Sequence, residues 1–257
     1  MTTDAHPFRK KIAESAVLGT WSLIPSPTTV EILGRSGMDF VILDAEHGPY
    51  DPAALEHAIR ACETALCLPI VRVSCLSHPE IQSALDLGAA GIVVPRIKNI
   101  DEAKEALAAM HFPPAGTRGF NPFTRAFGYD PSTADPAKQK PFSCIIVEEE
   151  GALKDLEKIL ALPDLDCLYV GVYDLSVMLG CSGDVTHPKV QALAEELITK
   201  ITAAGKIAGL MVGSEEEAKH ALVRGVKFLV WKTDTFIIRR AATEIVNTFR
   251  HAAKRSS

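Results

Sequence analysis

The sequence predicts an α/β fold: a TIM (β/α)8 barrel forming a single domain over residues 1–257, with a long C-terminal helix. Three observations carry this. Short β-rich apolar runs alternate with amphipathic segments along the chain, eight such runs can be counted, and 257 residues with 47% hydrophobic content suit one large barrel with a well-buried core.

The runs fall at residues 17–24, 39–46, 68–74, 91–97, 143–150, 166–174, 206–213 and 227–234. Each holds a short core of β-branched, aliphatic or aromatic residues, the pattern of buried parallel strands. Helical spacing lies between them, as in Ala54, Leu55, Ala58, Ile59 and Cys62. Ser26-Pro27, Asp51-Pro52 and His78-Pro79 place proline near helix starts, and Gly37, Gly88, Gly180, Gly205 and Gly225 fall near helix ends. A doubly wound open sheet is the competing arrangement. No G-x-G-x-x-G follows the first run, which disfavours its dinucleotide-binding version.

Residues 113–141 break the rhythm with six prolines, three glycines and no periodicity, so they are expected to form a long loop. Residues 130–140 suit a surface insertion, whereas residues 116–125 carry Arg118 and Arg125 among aromatics, as a functional loop would. Residues 235–254 read as an amphipathic helix with Phe236, Ile237, Ile238, Ile245, Val246 and Phe249 on its apolar side. That is longer than closing a barrel requires, so a contact with another subunit is expected.

A net charge of −5, with scattered basic residues, argues against nucleic-acid binding and for a small-molecule partner. The six cysteines form no C-x-x-C pair, and Cys144 and Cys167 lie inside predicted strands, as reduced packing residues of a cytoplasmic protein would. Residues 1–11 are polar and no apolar stretch is long enough to span a bilayer, so neither export nor membrane insertion is expected.

In a barrel of this kind, catalytic groups come from the carboxyl ends of the strands. The second run ends Asp44-Ala-Glu46-His47, the third carries Arg72, the fourth Arg96, and the fifth and sixth carry Glu148 and Asp174. Two carboxylates can hold one hard divalent cation and leave its other positions to substrate and water. With a histidine to move a proton and an arginine whose planar fork suits a carboxylate, they would serve enolate chemistry on a 2-oxo acid. The sequence leaves alternatives open. Glu148 and Asp174 could each cap a helix or meet a basic neighbour, Asp44 could hold backbone groups, His47 could be structural, and Arg96 could be an ion-pair partner. Glu46, Glu149 and Glu150 adjoin the favoured acids, so which carboxylates face the mouth is also open. Lys98 and Lys232 are candidates for a Schiff base; Lys232 is the better placed, among apolar neighbours, yet it leaves the paired acids unexplained.

The blocks Phe40-Val-Ile-Leu-Asp-Ala-Glu-His-Gly-Pro49, Pro69-Ile-Val-Arg72, Ala84-Leu-Asp-Leu-Gly-Ala-Ala-Gly-Ile-Val-Val-Pro95, Val147-Glu148 and Gly171-Val-Tyr-Asp-Leu-Ser176 resemble, in order, those of the HpcH/HpaI aldolases, metal-dependent class II pyruvate aldolases. The resemblance runs from about residue 19 to residue 232. It implies a TIM barrel, commonly a homo-hexamer with exchanged C-terminal helices. It also implies Mg²⁺, Mn²⁺ or Co²⁺ held by Glu148 and Asp174, a His47–Asp44 pair, Arg72 on the 2-oxo acid, and Trp21 and Arg125 as further pocket residues. Asp86 matches an aspartate that approaches a neighbouring active site. The chain departs from the family at Ile146, where a glutamine is usual, at the pocket position Val172, where a proline is usual, and in Phe120-Asn-Pro-Phe123. The expected activity is carbon–carbon lyase chemistry joining or cleaving pyruvate, or another short 2-oxo acid, and an aldehyde. The alternatives are an oxaloacetate decarboxylase or enolate-using synthase on the same site, and a non-catalytic barrel.

Overall fold

The computed structural model describes residues 7–255. Residues 1–6, over which the expectation about a missing leader partly runs, lie outside the described residues. Eight parallel strands close into a barrel in sequence order: β1 (Val17–Ser22), β2 (Phe40–Asp44), β3 (Leu68–Arg72), β4 (Gly91–Val94), β5 (Phe142–Val147), β6 (Cys167–Val170), β7 (Ile207–Val212) and β8 (Phe228–Thr233). The helices are α1 (Pro7–Glu14), α2 (Pro27–Arg35), α3 (Pro52–Thr64), α4 (His78–Asp86), α5 (Ile100–Met110), α6 (Glu150–Lys154), α7 (Leu156–Leu160), α8 (Val172–Met178), α9 (Pro188–Ala203), α10 (Glu215–Val223) and α11 (Asp234–Arg255). Ser26, Asp51 and Ser77 cap α2, α3 and α4, each accepting a backbone N–H from the first turn, with proline inside the start.

Two differences from the sequence expectation matter. Most of the strands end sooner than their apolar runs, because the trailing acids belong to turns and helices: Glu149 is the N-cap of α6 and Asp174 sits in the first turn of α8. And α1 precedes the first strand. Its Phe8 and Ile12, one turn apart, are buried inside the barrel, where the Phe8 ring meets the edges or faces of Phe40, Phe142 and Phe228 at centroid distances of 5.7, 4.9 and 6.1 Å. These aromatics, from the amino-terminal ends of three strands, fill that end of the barrel. A second apolar layer, including Leu55, Ala58, Ile59 and Cys62 of α3, packs between helices and sheet.

Residues 113–141 form the expected loop, interrupted only by two single-turn 3-10 helices at Arg125–Phe127 and Pro136–Lys138. All six cysteines are free thiols. Among the described residues no helix is long and apolar enough to cross a membrane.

Candidate active site

The carboxyl ends of the strands surround a cavity of about 370 Å³ lined by Trp21, Asp44, His47, Arg72, Glu148, Val172, Asp174 and Lys232, among others. It lies where barrel enzymes keep their chemistry, opposite the aromatic floor. Nine of the residues singled out in the sequence thus converge: Trp21, Asp44, His47, Arg72, Ile146, Glu148, Val172, Asp174 and Lys232. Arg125 and Asp86 do not join them. They line a separate depression with Glu63's neighbours on α3 and α4, at the other end of the barrel, where Arg125 is paired with Glu63 and donates to the Leu87 carbonyl at 3.1 Å, and Asp86 accepts from the buried Arg118 at 2.6 Å.

Asp44 and Arg72 end adjacent strands and stand opposite each other in register. Burial of Asp44 at 1% exposure demands a partner, and Arg72 provides it as a fork: Nε donates to Oδ1 at 2.8 Å and Nη2 to Oδ2. Arg72 Nη1 lies 3.0 Å from Glu46 Oε2, and the guanidinium stacks 4.3 Å from the Trp21 ring centroid. Trp21 is itself held by an edge contact with Tyr169 and a 3.3 Å N–H donation to its hydroxyl. Glu46, half-buried, has its pKa raised by burial, with Arg72 opposing the shift.

The expected coupling of Asp44 to the His47 imidazole takes another form. Asp44 Oδ1 accepts the backbone N–H groups of Glu46 and His47 at 3.0 and 3.1 Å, so it shapes the loop that carries His47, while the imidazole stands at the solvent edge of the cavity. A carboxylate whose two oxygens already receive a guanidinium fork has its lone pairs committed away from the ring.

Glu148 follows β5 directly and is buried, while the adjoining Glu149 and Glu150 turn away. The backbone N–H of Arg96 donates to Glu148 Oε1 at 2.7 Å, leaving Oε2 for other partners. The Arg96 side chain instead points outward to Glu149 at 3.7 Å. Burial pushes the Glu148 pKa up to about 7, opposed by the Arg96 N–H and reinforced by the charges of Asp174 and Glu46. Neither Glu148 nor Asp174 serves as a helix cap.

This donor set fits a hard divalent cation. It offers only carboxylate oxygens, it concentrates negative charge that burial penalises, and Gly171 leaves it room, since a side chain there would bring a Cβ within 2.8 Å of Glu148 Oε2. Among the described residues no cluster of three or more His, Cys, Asp or Glu side chains could hold a metal, so this pair would leave several coordination positions to substrate and water.

The structure adds residues to which the sequence analysis gave no site role: Tyr169, Tyr173, Met211 and Phe236 line the cavity. Tyr169 and Met211 lie on predicted strands, and inward alternation was the signal that could have flagged them. Lys232, considered for a Schiff base, is half-exposed and has a left-handed φ of 42°, a conformation that costs a non-glycine residue about 1 kcal/mol.

The model of the HpcH/HpaI aldolase/citrate lyase family matches residues 18–241. The chain is similar to a 2-dehydro-3,6-dideoxy-6-sulfogluconate aldolase from Pseudomonas putida, 35% identical over 91% of this chain and 92% of that one. It is also similar to a hydroxypyruvate/pyruvate aldolase from Agrobacterium fabrum, 33% identical over 93% and 88% of the two chains. Among solved structures, an HpcH/HpaI aldolase/citrate lyase family protein from Burkholderia cenocepacia superposes with a TM-score of 0.90 at 26% identity, covering 96% of this chain and all of that one. The barrel, the ring of strand-end residues and these matches together place the chain in the HpcH/HpaI aldolase/citrate lyase family.

Proposed function

We propose that the chain, working as a single barrel domain, is a divalent-metal-dependent carbon–carbon lyase that joins or cleaves pyruvate, or another short 2-oxo acid, and an aldehyde. The observation that carries this is the buried Glu148 carboxylate, pushed to a pKa of about 7 beside Asp174, in one cavity with Arg72 and His47. Mg²⁺, Mn²⁺ or Co²⁺ held by Glu148 and Asp174 would lower the cost of negative charge on the keto oxygen of the 2-oxo acid.

Arg72 binds the 2-oxo acid. Asp44, Glu46 and Trp21 fix its guanidinium before substrate arrives, so little rotamer freedom is lost on binding. In the cleavage direction His47 takes the proton of the aldol hydroxyl at the solvent edge of the cavity, directly or through water. The C–C bond then breaks with its electron pair passing to the enolate carbon, and the aldehyde leaves. A proton returned to that carbon completes the 2-oxo acid. Asp44 acts as a positioning residue for both Arg72 and the His47 loop. Trp21 and Val172 are walls of the pocket.

Asp86 and Arg125, at the far end of the barrel, would reach a substrate only across a subunit boundary. The exposed Ile238, Ile245, Val246 and Phe249 of α11 support a homo-oligomer, which we take to be a hexamer, and the six free thiols support a cytoplasmic location. The test is exchange of pyruvate methyl protons in D₂O, followed by NMR, together with aldol cleavage in the presence of each cation. Cation-dependent exchange that is lost with chelator is expected. Absence of both reactions with all three cations would refute the assignment, and turnover of oxaloacetate without any aldehyde would favour a decarboxylase.

A further inference from the structure

We infer that Lys232 selects the acceptor, binding a carboxylate on the aldehyde at the junction of two cavities. What that carboxylate belongs to rests on the reaction proposed above. The lysine's own geometry is independent of it.

Where it pairs with β1, strand β8 carries one extra residue. Gly19 of β1 pairs with Val230, but Trp21 pairs with Thr233, so β1 advances two residues while β8 advances three. The bulge falls on Trp231 and Lys232, where Thr20 Oγ1 donates to the Trp231 carbonyl at 2.8 Å and Lys232 takes its left-handed φ of 42°. Bulges re-aim side chains, and a non-glycine residue with left-handed φ at a cavity rim carries backbone strain. The room for this side chain is built in: it crosses Gly213, where any Cβ would collide with Lys232 Cε.

So aimed, the lysine lines both the 370 Å³ cavity and a second one of about 290 Å³ that opens between α8, α9, β7 and α10. Val172, Tyr173 and Met211 are the other walls the cavities share. The ammonium lies 6.0 Å from the Tyr173 ring centroid, and among the described residues no carboxylate pairs with it. Of the other charged or titratable side chains lining the second cavity, Arg224 is paired with Glu195, Glu217 accepts the Gly213 N–H at 2.7 Å, and neither Glu217 nor His220 is hydrogen-bonded or ion-paired to Lys232. A cation left without a counter-ion between a cavity built for a 2-oxo acid and an adjoining cavity is placed to meet the anionic tail of a second substrate. Schiff-base chemistry suits it less, because a Schiff-base lysine is typically enclosed in an apolar pocket and Lys232 is only half-buried.

The test has a binding arm and a kinetic arm. Binding of 5-hydroxypentanoate, an unreactive analogue of an aldehyde bearing a carboxylate, is followed by NMR in wild type, Lys232→Met, Lys232→Arg and Lys232→Gly. Loss of roughly tenfold or more in affinity is expected for Met and Gly, with Arg retaining binding, since a hydrogen bond to a charged group is typically worth at least that. Lys232→Gly also relieves the left-handed backbone, so its loss of binding cannot be ascribed to misfolding. In the kinetic arm, the ratio of kcat/KM for 5-oxopentanoate over pentanal should fall by a similar factor in the Met variant. Equal binding by wild type and Lys232→Met, or no binding by wild type, overturns the assignment. Failure of pyruvate proton exchange in wild type, with Lys232-dependent binding intact, would instead count against the lyase reaction.

Discussion

Replacing Glu148 by glutamine should stabilise the metal-free protein at alkaline pH while removing its affinity for cations. In the folded chain the carboxyl holds its proton up to about pH 7, against 4.5 in an unfolded chain. Its contribution to stability is therefore fully present below pH 4.5 and is lost as pH rises through 7. At about 1.4 kcal/mol for each tenfold in proton affinity, the ionised wild type gives up at most about 3 kcal/mol above pH 7. Glutamine is never ionised and can still accept the Arg96 N–H, so the variant avoids that penalty. For a chain of this size the gain corresponds to a rise in Tm of roughly 5 to 10 °C. Thermal unfolding in chelator at pH 8 and pH 5 measures it: the variant should exceed wild type at pH 8 and converge with it at pH 5. Added Mn²⁺ should reverse the order at pH 8, because only wild type retains both ligands. A variant less stable than wild type at pH 8 in chelator would refute the reasoning, since the buried charge would then be compensated rather than costly.

His47→Ala should lower turnover by roughly 10² to 10⁴ while leaving cation affinity nearly intact, the usual worth of a general acid–base group, and unchanged turnover would move the role elsewhere. Arg72→Lys keeps the charge but not the fork on Asp44, so kcat/KM for every acceptor should fall roughly 10- to 100-fold, together with pyruvate proton exchange. Phe8→Ala should cost about 3 to 5 kcal/mol in urea unfolding, because its ring is buried among three other phenylalanines; a loss under 1 kcal/mol would mean α1 is dispensable.

The strands were legible because parallel strands covered on both faces must be apolar throughout, and the charged residues that end β2 and β3 or directly follow β5 consequently stood out. Glu148, Asp174, Arg72 and His47 meet in space because a closed barrel brings all its strand ends to one rim. What the residues could not show depends on register between strands distant in sequence. The Asp44–Arg72 fork requires knowing that β2 and β3 align those two residues, and the bulge that aims Lys232 exists only in relation to β1, over 200 positions away. Helix α1 was hidden for a different reason: Pro-Phe-Arg-Lys-Lys-Ile-Ala-Glu offers just two large apolar residues, and only their burial inside the barrel gives the segment a stable place.

The aromatic plug formed by Phe8 and its partners makes the barrel a well with a floor rather than a tube. Everything that reacts must enter and leave by the same rim. Glu148 lies buried in the wall, whereas Lys232 and Phe236 stand nearer the solvent. Under the proposed reaction the 2-oxo acid must therefore be seated first and depart last, because an acceptor already in place would bar its way. Product inhibition would then follow an ordered pattern, with pyruvate competing against the aldol and the aldehyde showing mixed inhibition.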